Sequence, residues 1–312
     1  MGCLKLNHGS RRCSKAFSWP SKDDHQNCGE GNYKKKDYLC SHSISASVFR
    51  SKEPNRSYVN MSTNVHYVSA LVYNATDPIQ PSKRLEWLHT LLTAKLPMTL
   101  FIDSVYYEAL TEDSVSSASI HPDLRLIPWT LQESEVWREC EAASPLELPE
   151  YRNGGKDGEF FMGLMNAKVE LVARVAKEVD AGFVAFLDAG IVKIFKDVEG
   201  SLGRLKNLRM REDFRGVAIP GCWPLARMSP EILAVRICWI FCGGFFVVRR
   251  EEAEGFSRSA MEALMYFLKK GQITWEVNVW VQMMGDTAAP EMKWFLADHD
   301  DRMTMVPEEF RS

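Results

Sequence analysis

The 312-residue chain is 46% hydrophobic and 25% charged, the balance of a globular protein long enough to bury a large core. Its formal net charge of -3 hides an asymmetry: residues 1–62 carry 11 Lys and Arg against 5 Asp and Glu, and the remainder carries 27 against 36. The acidic body lacks the basic face of a nucleic-acid binder, and no apolar run is long enough to span a membrane.

Residues 1–62 are rich in Ser, Asn, Lys and Gly with few periodic apolar positions, so a disordered basic leader is expected ahead of a single folded domain over 63–312. The opening Met1-Gly2-Cys3 resembles the start of dually acylated proteins, although Leu6 replaces the usual Ser or Thr. With both chains attached, Lys5, Arg11, Arg12 and Lys15 would favour an anionic surface and peripheral membrane contact. The N-terminus has no apolar signal core, so the expected location is cytoplasmic or the cytoplasmic face of a membrane. The sequons at Asn55, Asn60 and Asn74 would matter only in a secreted or luminal chain. Eight cysteines show no CxxC spacing, and a structural zinc site is not expected.

From His66 the pattern becomes that of an α/β protein. His66 to Tyr73 reads as a strand, Lys83 to Ala94 as an amphipathic helix, and Met98 to Ile102 as a buried strand, which makes a β-α-β unit. Asp103 follows directly, as a contact to a nucleotide or as the cap of a helix from Ser104 to Leu110. Leu124 to Pro128 is a third strand, and residues 130–157 a polar loop with a short helix. Glu159 to Val179 has the period of a long amphipathic helix interrupted by Asn166 and Lys168. Lys168 would lie over a ligand crevice or on the solvated face.

Phe183 to Leu187 is continuously apolar, as in a strand buried on both faces, and it ends in Asp188, Ala189 and Gly190. Ligands of open α/β sheets bind beyond the carboxyl ends of the strands. A carboxylate there can hold a divalent cation or simply cap the turn. A helix over Asp197 to Leu208 and a strand over Gly216 to Pro220 follow. The apolar run Cys238 to Val248 contains Gly243 and Gly244, which suggests a bulge within a strand or a ligand close to the backbone. Arg249 to Lys270 is helical in pattern. Glu276 and Asn278 fall in the apolar stretch Ile273 to Met284, where a buried Glu needs a partner such as Arg236, or a chemical role. Asp298, His299, Asp300 and Asp301 form an acidic cluster with one imidazole, a metal-ligand composition or a solvated loop.

The order LDAG, IPGC, FCGGFFV, TWEVNVW and ADHDD, with FFMGLMNAK and ELPEY before it, resembles the WlaTC/HtrL (YibB-like) glycosyltransferase family over about residues 64–302. The resemblance implies a GT-A-like nucleotide-diphospho-sugar transferase fold, a mixed, mostly parallel sheet flanked by helices. It implies a nucleotide-sugar donor and a saccharide or glycoconjugate acceptor, in surface-polysaccharide synthesis. Glycosyl transfer commonly uses Mn²⁺ or Mg²⁺ on the diphosphate, held by an Asp-x-Asp. Here Gly190 replaces the second Asp, so the ligands would be Asp188 with His299 and Asp298. By the same resemblance Lys168, Asn166 and Asp103 would contact the nucleotide, Gly243 and Gly244 would lie against the donor sugar, and Glu276 with Asn278 would face the acceptor or the anomeric centre, making Glu276 and Asp188 the catalytic carboxylates. The competing expectation is a non-catalytic carbohydrate- or nucleotide-binding protein. A P-loop enzyme is disfavoured, because no GxxxxGK[ST] occurs.

Overall fold

A computed structural model describes residues 64–75, 77–112 and 121–312; the leader, Gly2, Cys3 and the sequons at Asn55 and Asn60 lie outside them. The framework is one seven-stranded sheet in the order β3-β2-β1-β4-β6-β5-β7. The strands are β1 (Val65–Leu71), β2 (Met98–Ile102), β3 (Leu124–Pro128), β4 (Phe183–Leu187), β5 (Val217–Gly221), β6 (Phe245–Arg249) and β7 (Met292–Leu296). β1 pairs in parallel with β2 and β4, β2 with β3, and β5 with β7. Only β6 runs against its neighbours β4 and β5. The other six strands therefore end at one edge of the sheet, and β6 begins there.

This is the mixed, mostly parallel sheet flanked by helices expected of the chain. The order reverses between β1 and β4, the position past whose carboxyl ends ligands of open α/β sheets bind.

Period-two alternation divides each strand between the two faces of the sheet. Val184 and Phe186 pack with Phe246, Val248 and the helices α3 (Glu135–Ala143), α4 (Glu159–Ala176) and α7 (Ala253–Leu268). Phe183, Ala185 and Leu187 pack on the other face with Phe245, Val247 and residues of α1 (Pro81–Leu92) and α5 (Val198–Lys206). All five β4 residues are buried, the reason that run never alternates. The remaining helices are α2 (Ser104–Glu112), α6 (Pro230–Val235) and α8 (Glu276–Gln282). Among the described residues no helix is long and apolar enough to cross a membrane.

One expectation is corrected. The run from Cys238 to Val248 is not one strand with a glycine bulge: β6 begins at Phe245, and Gly243 and Gly244 belong to the buried segment leading into it. That segment is apolar because it is packed under neighbouring elements, not because it pairs in the sheet: Cys238, Ile240, Phe241 and Cys242 are all buried.

Candidate active site

The centre of the carboxyl edge is Lys168. It projects from α4, is 2% exposed, and its ammonium lies 5.2 Å from the centre of the Phe186 ring on β4. The Nζ stands 3.1 Å from Asp188 Oδ1 and 3.0 Å from Glu276 Oε1, and donates to the Gly243 carbonyl at 2.9 Å. An ammonium has three N–H donors, and these three oxygens match them. Burial alone would pull its pKa down; the Asp188 and Glu276 carboxylates outweigh that and raise it, so the lysine is held as a cation.

The two acids differ in access. The Glu276 side chain is 7% exposed, and its partner is Lys168 rather than an arginine. The Asp188 side chain is 38% exposed, and its backbone N–H donates to the Gly244 carbonyl. A Cβ on Gly243 would stand 2.0 Å from Glu276 Oε1, and one on Gly244 would stand 2.9 Å from Met303 Cε and 3.3 Å from Asp188 Oδ2. Glycine is therefore needed at 243 so that the carboxylate can approach the backbone.

Glu276 opens α8, and an amide network holds that helix start. Asn166 Nδ2 donates to the Thr274 and Met162 carbonyls. Asn278 Nδ2 donates to the Leu233 and Arg236 carbonyls, and its Oδ1 accepts from the Cys238 N–H. Thr274 Oγ donates to the Leu233 carbonyl. Asn166 and Asn278 are both buried and bound to the protein itself, so they position Glu276. Asp103, after β2, accepts the Val105 N–H at 3.0 Å, a local cap on the start of α2.

On the other side of Asp188, Lys193 lies 5.3 Å from the centre of the Trp87 ring, and that ring would meet a Cβ on Gly190 at 3.3 Å. Desolvation against the protein lowers the Lys193 pKa, and Lys156, Arg84 and Lys168 lower it further while Asp188 opposes them. Several cations thus share the field around Lys193. Sequence reasoning did not single out Lys193, although a basic residue five positions after Asp188 was visible.

His299 and Asp298 follow β7. His299 Nδ1 is 3.5 Å from Cys222 Sγ, its ring meets Trp239 edge-on at 4.3 Å, and Asp298 Oδ1 is 3.9 Å from the same sulfur. Among the described residues, Cys222, Cys242 and His299 form the only group of three His, Cys, Asp or Glu ligand atoms close enough to share an ion. Asp188 is not among them. A set of Asp188, His299 and Asp298 for Mn²⁺ or Mg²⁺ is therefore not assembled: one Asp188 oxygen is taken by Lys168, and two sulfurs stand beside the imidazole where a hard ion would want oxygen. The Cys222 thiol is lowered to about 6 by its hydrogen bond with Cys242 and by His299, against the effect of burial.

No known family profile matches the chain, and no curated protein sequence is similar to it. The WlaTC/HtrL resemblance thus rests on the motif order alone. Among solved structures, mouse xyloside xylosyltransferase 1 in its apo form aligns with a TM-score of 0.36 at 11% identity, covering 77% of this chain and 81% of that one. The bifunctional IspDF from Campylobacter jejuni aligns with a TM-score of 0.35 at 9% identity, covering 75% of this chain and 50% of the other. These are distant likenesses, and neither activity is carried to this chain by them.

Proposed function

We propose that the chain is a glycosyltransferase that moves a sugar from a nucleotide-sugar donor to a saccharide or glycoconjugate acceptor. The observation that carries this reading is the buried Lys168 held between Asp188 and Glu276, beside Gly243 and Gly244, at the edge where the parallel strands end. The nucleotide would bind past the carboxyl ends of β1 and β4, with Lys193 and its neighbouring cations toward the diphosphate.

Transfer forms a bond from an acceptor oxygen to the anomeric carbon and breaks the bond from that carbon to the diphosphate. The electron pair leaves with the nucleoside diphosphate, and the acceptor proton passes to a base. Lys168 pairs with the Glu276 side chain and fixes it where the anomeric centre would lie. There it serves as general base in an inverting reaction, or as nucleophile or ion-pair stabiliser in a retaining one. Asp188, the more open carboxylate, orients the donor sugar. No step is routed through a metal, because among the described residues Asp188, His299 and Asp298 do not form one ligand group.

A non-catalytic binding protein of the same fold is the second reading, favoured by Gly190 in place of a second Asp and by the low exposure of Glu276. Titration with a panel of UDP- and GDP-sugars separates the two. Donor binding with slow donor hydrolysis that Glu276→Gln lowers by about 100-fold or more supports the transferase. Tight saccharide binding without nucleotide affinity supports the binding protein.

A further inference from the structure

Cys222, Cys242 and His299 come from three distant parts of the chain. Cys222 directly follows β5, Cys242 lies in the segment before β6, and His299 lies just beyond β7. The two sulfurs are 3.4 Å apart, and His299 Nδ1 is 3.5 Å from Cys222 Sγ. All three ligand atoms lie within 4.8 Å of one another. A tetrahedral ion with bonds of about 2.3 Å to sulfur and about 2.0 Å to nitrogen needs roughly 3.8 Å between two sulfurs and roughly 3.5 Å between sulfur and nitrogen. The Cys222–Cys242 and Cys222–His299 spacings differ from these by at most a few tenths of an ångström, and the third pair closes within 4.8 Å. A disulfide needs a sulfur separation of about 2.05 Å, a far larger contraction.

We propose that Cys222, Cys242 and His299 bind a zinc-class divalent ion, with solvent completing the coordination. Asp298 Oδ1 stands 3.9 Å from the Cys222 sulfur and accepts the His299 N–H at 2.9 Å. Two thiolates and an imidazole select a soft or borderline ion over Mn²⁺ or Mg²⁺. Binding deprotonates both thiols and releases the protons to solvent. The ion would tie together the ends of β5 and β7 and the entry to β6. Cys242 immediately precedes Gly243, whose carbonyl receives the Lys168 ammonium, so the clamp would steady one wall of the candidate active site.

Co²⁺ is the probe, added to the full chain purified with reductant. The expected result is about one tightly held equivalent with a thiolate-to-cobalt charge-transfer band in the near ultraviolet, displaced by Zn²⁺. Mn²⁺ should not displace it. The double variant Cys222→Ser/Cys242→Ser should lose the band, and His299→Ala should weaken binding about 10-fold or more, whereas Cys140→Ser, a buried thiol in α3, should keep both. Absence of the band in the unsubstituted chain overturns the proposal without reference to any variant. So does persistence of the band in the double variant, which would place the thiolates elsewhere.

Discussion

Lys168 Nζ and Glu276 Oε1 lie 3.0 Å apart in a site where both side chains are almost fully buried. The lysine comes from the middle of α4 and the glutamate from the first turn of α8, and the same ammonium also meets Asp188 at 3.1 Å. Three elements are locked at one point by a single cation. Removing it leaves a buried carboxylate without a counter-charge. Lys168→Met should destabilise the protein by about 3–5 kcal/mol. Adding Glu276→Gln to it should recover a large part of that loss, because the stranded charge is gone. Urea unfolding of the two single variants and the double variant measures this; strictly additive losses would mean that the two groups do not interact.

How much of this was legible beforehand follows from the range of each interaction. β4 could be read because its five residues face the core on both sides, and a local apolar run records that. The capping of α2 by Asp103 was likewise visible, since donor and acceptor are two residues apart. The burial of Lys168 could not be read, because a lysine in a helix is ordinarily solvated and both its carboxylate partners are distant in sequence. Cys222 escaped notice for the same reason: no CxxC marks it, and its neighbours Cys242 and His299 arrive through the pairing of β5 with β6 and β7. The segment Cys238–Gly244 misled because buried loop and buried strand share one composition.

Gly243 tests how tightly the pair is enclosed. An alanine there puts its Cβ about where Glu276 Oε1 stands, at 2.0 Å, so the carboxylate must swing off Lys168 or the backbone must shift. Gly243→Ala should cost about 1–3 kcal/mol and lower donor turnover more than donor affinity. The measurements are a denaturation midpoint and a separate kcat and KM for donor hydrolysis. A stable variant with unchanged kcat would show that the close approach does not matter.

Asn278 separates scaffold from ligand contact. It is 0% exposed, and its amide holds the Leu233 and Arg236 carbonyls and the Cys238 N–H. Asn278→Ala leaves those backbone groups unpaired, and a loss of about 2–4 kcal/mol is expected. At a temperature where the variant remains folded, its affinity for a nucleotide sugar should stay within about threefold of the parent. A large loss of affinity with little loss of stability would instead place this amide on the ligand.

His66 gives the stability a pH dependence. It lies on β1, with Nε2 2.9 Å from Thr99 Oγ1 on the neighbouring strand. Burial, and then the charge of Arg125, lower its pKa to about 4, with Asp123 opposing. The unfolded chain takes up the proton at about pH 6.5, but the native state resists until about pH 4. The contribution is therefore complete above pH 6.5, declines as the pH falls through that window, and is gone below it. Allowing for solvent screening of a partly exposed ring, the loss should be about 1–2 kcal/mol. Urea midpoints at about pH 7.5 and about pH 4.5 should fall further in the parent than in His66→Gln, which retains a hydrogen-bonding group toward Thr99 without titrating. An equal fall in both would assign the acid sensitivity to groups other than His66.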